Sequence, residues 1–201
     1  MFALVESGSI TKMLSGNRGI TIDGIQHPRA IYTLWTEAER NAIGIYEVTI
    51  DTSKKKDEKW YTNTNITYSF GSGKVTGSYG DATAKPHADT LYTSQDETDG
   101  LGTEGDVKVE GLKTKLIRTV KSQAAGILTK TDWYVIRKTE EDTAIPSAIT
   151  THRRAVRSKQ AAMETSITNA SDTPALETLY TYTEQEDGSV TRPLGELPTL
   201  E

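Results

Sequence analysis

What most constrains this chain is a change of hydrophobic period part-way along it. From Phe2 to Tyr79 the apolar residues come in short β-branched and aromatic runs separated by turn residues: Phe2-Ala3-Leu4-Val5, Gly19-Ile20-Thr21-Ile22, Ile45-Tyr46-Glu47-Val48-Thr49-Ile50 and Ile66-Thr67-Tyr68-Ser69-Phe70. Runs of that kind predict strands. Asp23-Gly24 is the clearest hairpin signal, because both central residues of a type I′ turn need positive φ, and Gly71-Ser72-Gly73 offers a second. One short helix is expected over 36–43, with Thr36 as N-cap, Glu39 at the capping-box position and Gly44 closing the end.

After Asp106 the spacing turns helical. Leu112, Leu116, Val120, Ala124 and Ile127 recur at threes and fours, while Lys113, Lys115, Arg118 and Lys121 fall largely outside that face. A second stripe, Ile149, Val156, Met163 and Ile167, follows Pro146, with Ser147 as the expected N-cap. Two such stripes bury each other as an antiparallel helical hairpin. Between them the segment from Thr131 to Arg137 is too aromatic and β-branched for a solvent loop. It is expected to plug one end of the pair, with Trp133 in the core. A third short helix is predicted after Thr173 with Pro174 at its first position, then a terminal hairpin through Thr181-Tyr182-Thr183 and Asp187-Gly188. Residues 192–201, with two prolines, read as an extended arm, and Leu194, Leu197 and Leu200 point to an arm that lies along a partner.

Between the two textures, residues 81–105 are rich in Gly, Asp, Thr and Ala, and the stretch is longer than most connections, so the domain boundary is placed inside it. The expected fold class is α+β: a small antiparallel β docking domain with one short helix over 1–80, a long loop or linker over 81–105, and a helical-hairpin domain with an extended arm over 106–201. A length of 201 residues accommodates one large or two small domains.

Composition narrows the chemistry. A net charge of -5 gives no global attraction to phosphate backbones or anionic membranes, so neither nucleic acid nor membrane is an expected partner. No apolar window approaches the roughly 18 residues of a spanning helix, and the N-terminus lacks a signal-peptide pattern. The absence of cysteine removes disulfides, thiolate metal sites and thiol nucleophiles together. His27, His87 and His152 each stand outside any catalytic motif, and the chain has no nucleophile elbow, zincin helix, phosphate-binding loop or dinucleotide fingerprint. No enzyme activity, catalytic residue, metal or cofactor is therefore expected. The acidic stretch Asp96, Glu97, Asp99, Glu104 and Asp106 fails the calcium-loop spacing, since Thr98 takes the middle ligand position. Two basic clusters, Lys54-Lys55-Lys56 with Lys59, and Arg153, Arg154, Arg157 and Lys159, read as solvated faces, with docking onto an acidic partner as the functional alternative.

The stretch from Leu112 to Tyr182 resembles the small tail assembly chaperone module of tailed phages. Its pattern is a first helix, a Leu followed shortly by Asp-Trp, a Pro, and a helix of the form Tyr-Arg-x-x-Leu-Arg. Here those elements are Leu128, Asp132-Trp133, Pro146 and His152-Arg153-Arg154-Ala155-Val156-Arg157, with His152 where the pattern has Tyr and Val156 where it has Leu. The opening Phe2-Ala3-Leu4-Val5-Glu6-Ser7-Gly8, the stretch Leu34 to Tyr46, the segment Asp96 to Gly102 and the ending Arg192 to Glu196 are similar to tail-region proteins of marine phages. The resemblance implies a structural component of a bacteriophage tail, a tail-fibre, tail-tip or baseplate-associated subunit, made in the host cytoplasm and carried in the virion. Its implied partners are other tail proteins and further copies of itself in a symmetric assembly. The alternative it implies is a transient tail or tail-fibre assembly chaperone that leaves before maturation. The residues expected to carry the structural and interface role are Asp132, Trp133, Pro146, Arg153, Arg157, Leu194, Leu197 and Leu200.

Overall fold

A computed structural model describes residues 1–200, and the chain divides into two compact units between Thr83 and Ala84. In the first unit, β1 (Phe2–Glu6) and β2 (Ser9–Leu14) form a hairpin, and β3 (Ile20–Ile22) and β4 (Ile25–His27) form a smaller one. Two short helices follow, α1 (Ile31–Leu34) and α2 (Glu37–Ala42). The remaining strands are β5 (Ile45–Asp51), β6 (Tyr61–Thr62), β7 (Thr67–Gly71) and β8 (Lys74–Ser78), with β9 (Thr83–Ala84) at the division.

Three tight turns share one solution. Ser7-Gly8, Asp23-Gly24 and Ser72-Gly73 all place both central residues at positive φ, between 49° and 78°, which is the backbone twist that a two-residue hairpin needs. The main sheet has the order β2-β1-β5-β8-β7. It is not wholly antiparallel as expected, because β5 and β8 run parallel, pairing Val48 with Val75 and Thr49 with Thr76. A parallel neighbour needs a long connection, and the segment from Thr52 through β7 provides it. Hydrophobic alternation does not encode strand direction. β1 is buried on both faces. Leu4 packs with Leu14, Ile20, Ile22, Ile31, Tyr32 and Ile45, while Ala3 and Val5 pack with Val75 on the opposite side.

The expected helix over 36–43 is joined by a second, α1, and extended backbone at Trp35 separates the two. Thr36 caps α2 as predicted: its hydroxyl accepts from the Glu39 N–H at 3.3 Å, and the Glu39 carboxylate accepts from the Thr36 N–H at 2.7 Å. Gly44 has φ +79° and its carbonyl accepts from the Val5 N–H at 2.8 Å. A Cβ there would sit 2.6 Å from the Val5 carbonyl oxygen.

The second unit holds β10 (Thr90–Leu91), α3 (Ser94–Thr98), β11 (Val107–Val109), α4 (Leu112–Thr129), α5 (Asp132–Glu141), α6 (Ser147–Asn169), α7 (Thr173–Tyr180), β12 (Thr183–Glu184) and β13 (Val190–Thr191). The predicted helical hairpin is α4 against α6. Leu116, Val120 and Ala124 on one helix and Ile149, Val156, Met163 and Ile167 on the other are buried. The Lys113 ammonium donates to the Thr168 carbonyl at 2.8 Å, and Lys121 pairs with Glu164 at 3.4 Å.

Three local expectations change. Residues 81–105 are not a free linker: Thr90–Leu91 pairs with Val107–Val109, and the segment caps α4. The Leu112 and Lys113 N–H groups donate to the Pro86 and His87 carbonyls, and the Gly111 N–H donates to the Asp89 carboxylate at 2.6 Å. A helix start leaves N–H groups without intrahelical partners, and here a distant loop supplies them. Ser147 is the first residue of α6 and does not cap it; Pro146 holds the cap position, with φ -52° and ψ 138°. In α7 the cap is Asp172, which accepts from the Ala175 N–H at 2.8 Å, so Thr173 is the first helical residue and Pro174 the second. The terminal hairpin is present as β12 and β13, turned at Gly188 with φ +78°. Among the described residues, no helix is long and apolar enough to cross a membrane.

Candidate assembly surface

The apolar stripe of α6 contains one residue of the wrong kind. Arg153 lies four residues after Ile149 and three before Val156, so helical geometry turns it towards α4, and it is only 7% exposed. A buried guanidinium needs acceptors. It finds them where α4 ends and its last carbonyls lack intrahelical partners. The Nη1 group donates to the Leu128 carbonyl at 2.8 Å and to the Thr131 hydroxyl at 2.7 Å, and Nη2 donates to the Asp132 carboxylate at 2.8 Å. The Thr131 hydroxyl in turn donates to the Leu128 carbonyl at 3.0 Å. The cation also faces the negative end of the α4 dipole, while Asp132 occupies the first turn of α5, where a carboxylate is favoured. One side chain thus ties α6, the end of α4 and the start of α5. The basic cluster is therefore not a uniform solvated face: Arg153 is buried, and Arg154 and Arg157 are exposed.

Trp133 does not plug the hairpin, contrary to expectation. The segment is a helix, α5, in which no residue is buried. Because Asp132 is turned towards Arg153, the next residue, about 100° further round the helix, faces away from it. Trp133 is 49% exposed, Val135 41% and Ile136 56%. The Trp133 ring stacks on Tyr134 with centroids 3.8 Å apart, and the Arg137 guanidinium lies 4.8 Å from the Trp133 ring and 5.4 Å from that of Tyr134. The helix ends at Asp142 in left-handed backbone with φ 54°, where Lys138 closes onto the Asp142 carboxylate. Pro146, beyond that turn, is exposed.

The C-terminal arm folds back onto its own unit. Leu194 is 2% exposed, and its N–H donates to the Leu179 carbonyl at 3.0 Å, so it is a core residue and not a free contact. Arg192 forms a latch. Its guanidinium lies 5.2 Å from the rings of both Tyr180 and Tyr182 and bonds the Glu196 carboxylate at 2.7 and 2.8 Å. The Tyr182 hydroxyl donates to the same carboxylate at 2.7 Å, which with burial raises its pKa. Leu197 borders a cavity of about 360 Å³ with Gln123, Gly126, Ile127 and Met163. Leu200, 47% exposed, borders another of about 380 Å³ with Ile127, Thr131 and His152.

The acidic loop is occupied by its own neighbours. Asp96 accepts from the Lys108 ammonium at 2.6 Å and from the Thr93 N–H and hydroxyl at 2.9 Å each. Those bonds, led by Lys108, lower its pKa to about 2. The Asp89 carboxyl is likewise held below its ordinary value, first by the Thr114 hydroxyl and then by the Gly111 N–H. Among the described residues no three His, Asp or Glu side chains group in a way that would hold a metal ion. In the first unit the basic cluster lies over aromatic rings: Lys56 is 4.4 Å from Tyr61, and Lys59 is 4.4 Å from Trp60.

The structure thus joins Asp132 to Arg153, exposes Trp133, Pro146 and Arg157, buries Leu194, and seats Leu197 and Leu200 along the helical hairpin. Thr131 at the junction, Ile136 on the exposed side of α5, and Arg192 with Glu196 in the latch were not among the expected site residues. An arginine interrupting an apolar stripe was the available signal for the junction, since such a charge needs a partner at a helix end. No protein-family model matches the chain, and neither a curated protein nor a solved structure matches it.

Proposed function

We propose that this chain is a non-enzymatic assembly protein of a bacteriophage tail, a fibre, tail-tip or baseplate-associated subunit that works through contacts with other tail proteins and with copies of itself. The observation that carries this reading is α5: a helix with no buried residue, fixed at its start by the Asp132–Arg153 pair and presenting Trp133 and Ile136, one turn apart, to solvent. A helix on its own exposes apolar area at a free-energy cost that a partner surface removes. Exposed Leu91, Val107 and Val109 on the β10–β11 ribbon add apolar area of the same kind. The likeness of the opening Phe2 to Gly8, of Leu34 to Tyr46, of Asp96 to Gly102 and of Arg192 to Glu196 to tail-region proteins of marine phages supports the same assignment.

A transient chaperone is the second reading. It is favoured by the way Leu128, Asp132 and Arg153, which carry that likeness, converge on one hydrogen-bonded junction. Mass spectrometry of purified particles of the encoding phage separates the two. A tail component is expected at several copies per virion, and absence from particles with complete tails would leave the chaperone reading standing.

A further inference from the structure

We propose that the groove along α4 and α6 is a receptor for the C-terminal arm, and that in an assembly the arm of a second copy occupies it in exchange for the chain's own. The groove is built for one kind of segment. Its floor is apolar, formed by Ile127 and Met163, with Gly126 leaving room on α4, and Lys130 stands at the rim of both cavities. The residues seated over it, Glu196-Leu197-Pro198-Thr199-Leu200, are of matching chemistry. The acidic head Glu196 is held by Arg192, two leucines meet the two cavities, and the proline between them holds the backbone extended. Charge complementarity and apolar fit are therefore already displayed by the cis arm.

The contact in cis is shallow, so opening it loses little. Cavities of about 360 and 380 Å³ remain beside Leu197 and Leu200, and Leu200 is 47% exposed. The arm also leaves the folded unit through a defined hinge. Leu194 is anchored in the core, whereas Gly195 turns with φ +70°, and a Cβ there would collide with the Lys159 ammonium. Beyond that point the arm is tied by one side-chain latch, Glu196 on Arg192 and Tyr182. Opening the hinge breaks that latch and the two leucine contacts, and a second copy restores all of them, because exchange of an identical element creates no new chemistry. A short tether gives the cis arm an effective concentration in the millimolar range. Exchange is thus rare in dilute solution and favoured where copies are held side by side. The exchange depends on the groove alone and not on the tail reading; the arm would exchange equally in another assembly.

The chain has no cysteine, so two single-cysteine variants of the full-length protein test it directly. Lys130→Cys places a thiol at the groove and Thr199→Cys one on the arm, both beside the second cavity. After mixing at high concentration under mild oxidation, the Lys130→Cys and Thr199→Cys chains are expected to form a disulfide heterodimer. Its yield should exceed that of Thr199→Cys with Lys74→Cys, an exposed position at the start of β8 in the first unit. Adding Leu197→Asp to the arm-bearing chain should remove the excess. Equal yields from the groove and control pairs, with both variants keeping the circular dichroism of the parent, would overturn the proposal. An excess that survives Leu197→Asp would overturn the groove as the receptor.

Discussion

At the residue scale, the chemistry of this chain is concentrated in side chains that complete helix ends. Arg153 is the chief case. Replacing it by Ala removes three hydrogen bonds and leaves the Asp132 carboxylate without its ion-pair partner, while the Leu128 carbonyl and the Thr131 hydroxyl keep the bond they share. The expected cost is about 2 to 4 kcal/mol, below the fully buried limit because Asp132 keeps access to water. Trp133→Ala, by contrast, should cost less than about 1 kcal/mol, since half of the ring faces solvent and no cavity forms inside the hairpin. Urea unfolding of both variants checks the order, and a larger loss at Trp133 than at Arg153 would contradict the junction described here. Asp96 provides a pH test. Its pKa, about 2, lies below the unfolded value near 3.9, so its contribution is complete above that unfolded value and disappears as pH falls towards 2. The difference in urea midpoint between the parent and Asp96→Asn should be constant from neutral pH down to about pH 5 and shrink between about pH 4 and 2. A difference that does not change with pH would show that the Lys108 and Thr93 bonds contribute nothing.

Single elements of the second unit depend on residues far away in sequence. The start of α4 is completed by the Pro86 and His87 carbonyls and by Asp89, which also accepts from the Thr114 hydroxyl at 2.7 Å. Gly111 is obligatory at that junction, because a Cβ would collide with the Ala88 carbonyl. By comparison α7 is capped locally. Asp172→Ala removes its only side-chain cap and should lower stability by about 1 kcal/mol, with the loss reported by α7 and its contact with α6. Amide hydrogen exchange locates the effect: faster exchange over 174–180 is expected, and faster exchange spread evenly over α4 and α6 would mean that α7 is no separate element. Helix α5 is the opposite case, an element with no fully buried residue that an ion pair at its first residue joins to α6.

For the whole molecule, the division at Thr83 separates two cores. The second unit has its own, made by Val120, Ala124, Val156, Met163, Ile167, Leu176 and Leu194, all almost fully buried. Residues 84–201 expressed alone are therefore expected to unfold cooperatively in urea and to show a strongly helical circular dichroism spectrum. A fragment lacking a cooperative transition would show that the second unit does not sustain itself. The cores are modest in size, which agrees with a chain that leaves apolar residues such as Ile136, Val109 and Leu91 at its surface.

Periodicity and turn chemistry alone determined the β-rich first part, the Asp23-Gly24 turn, the Thr36 capping box, the two long helices and the terminal hairpin, because each is encoded by residues a few positions apart. Tertiary structure decided what depends on distant partners. The parallel pairing of β5 with β8 follows from how a connection returns, and alternation carries no record of it. Residues 81–105 pack because α4 has unsatisfied N–H groups, and Trp133 faces outward because Asp132 is claimed by an arginine 21 residues later. Leu194 is buried because the arm folds back onto α7. A sequence states which side chains are apolar or charged; only the assembled fold determines which carbonyl, carboxylate or cavity each one meets.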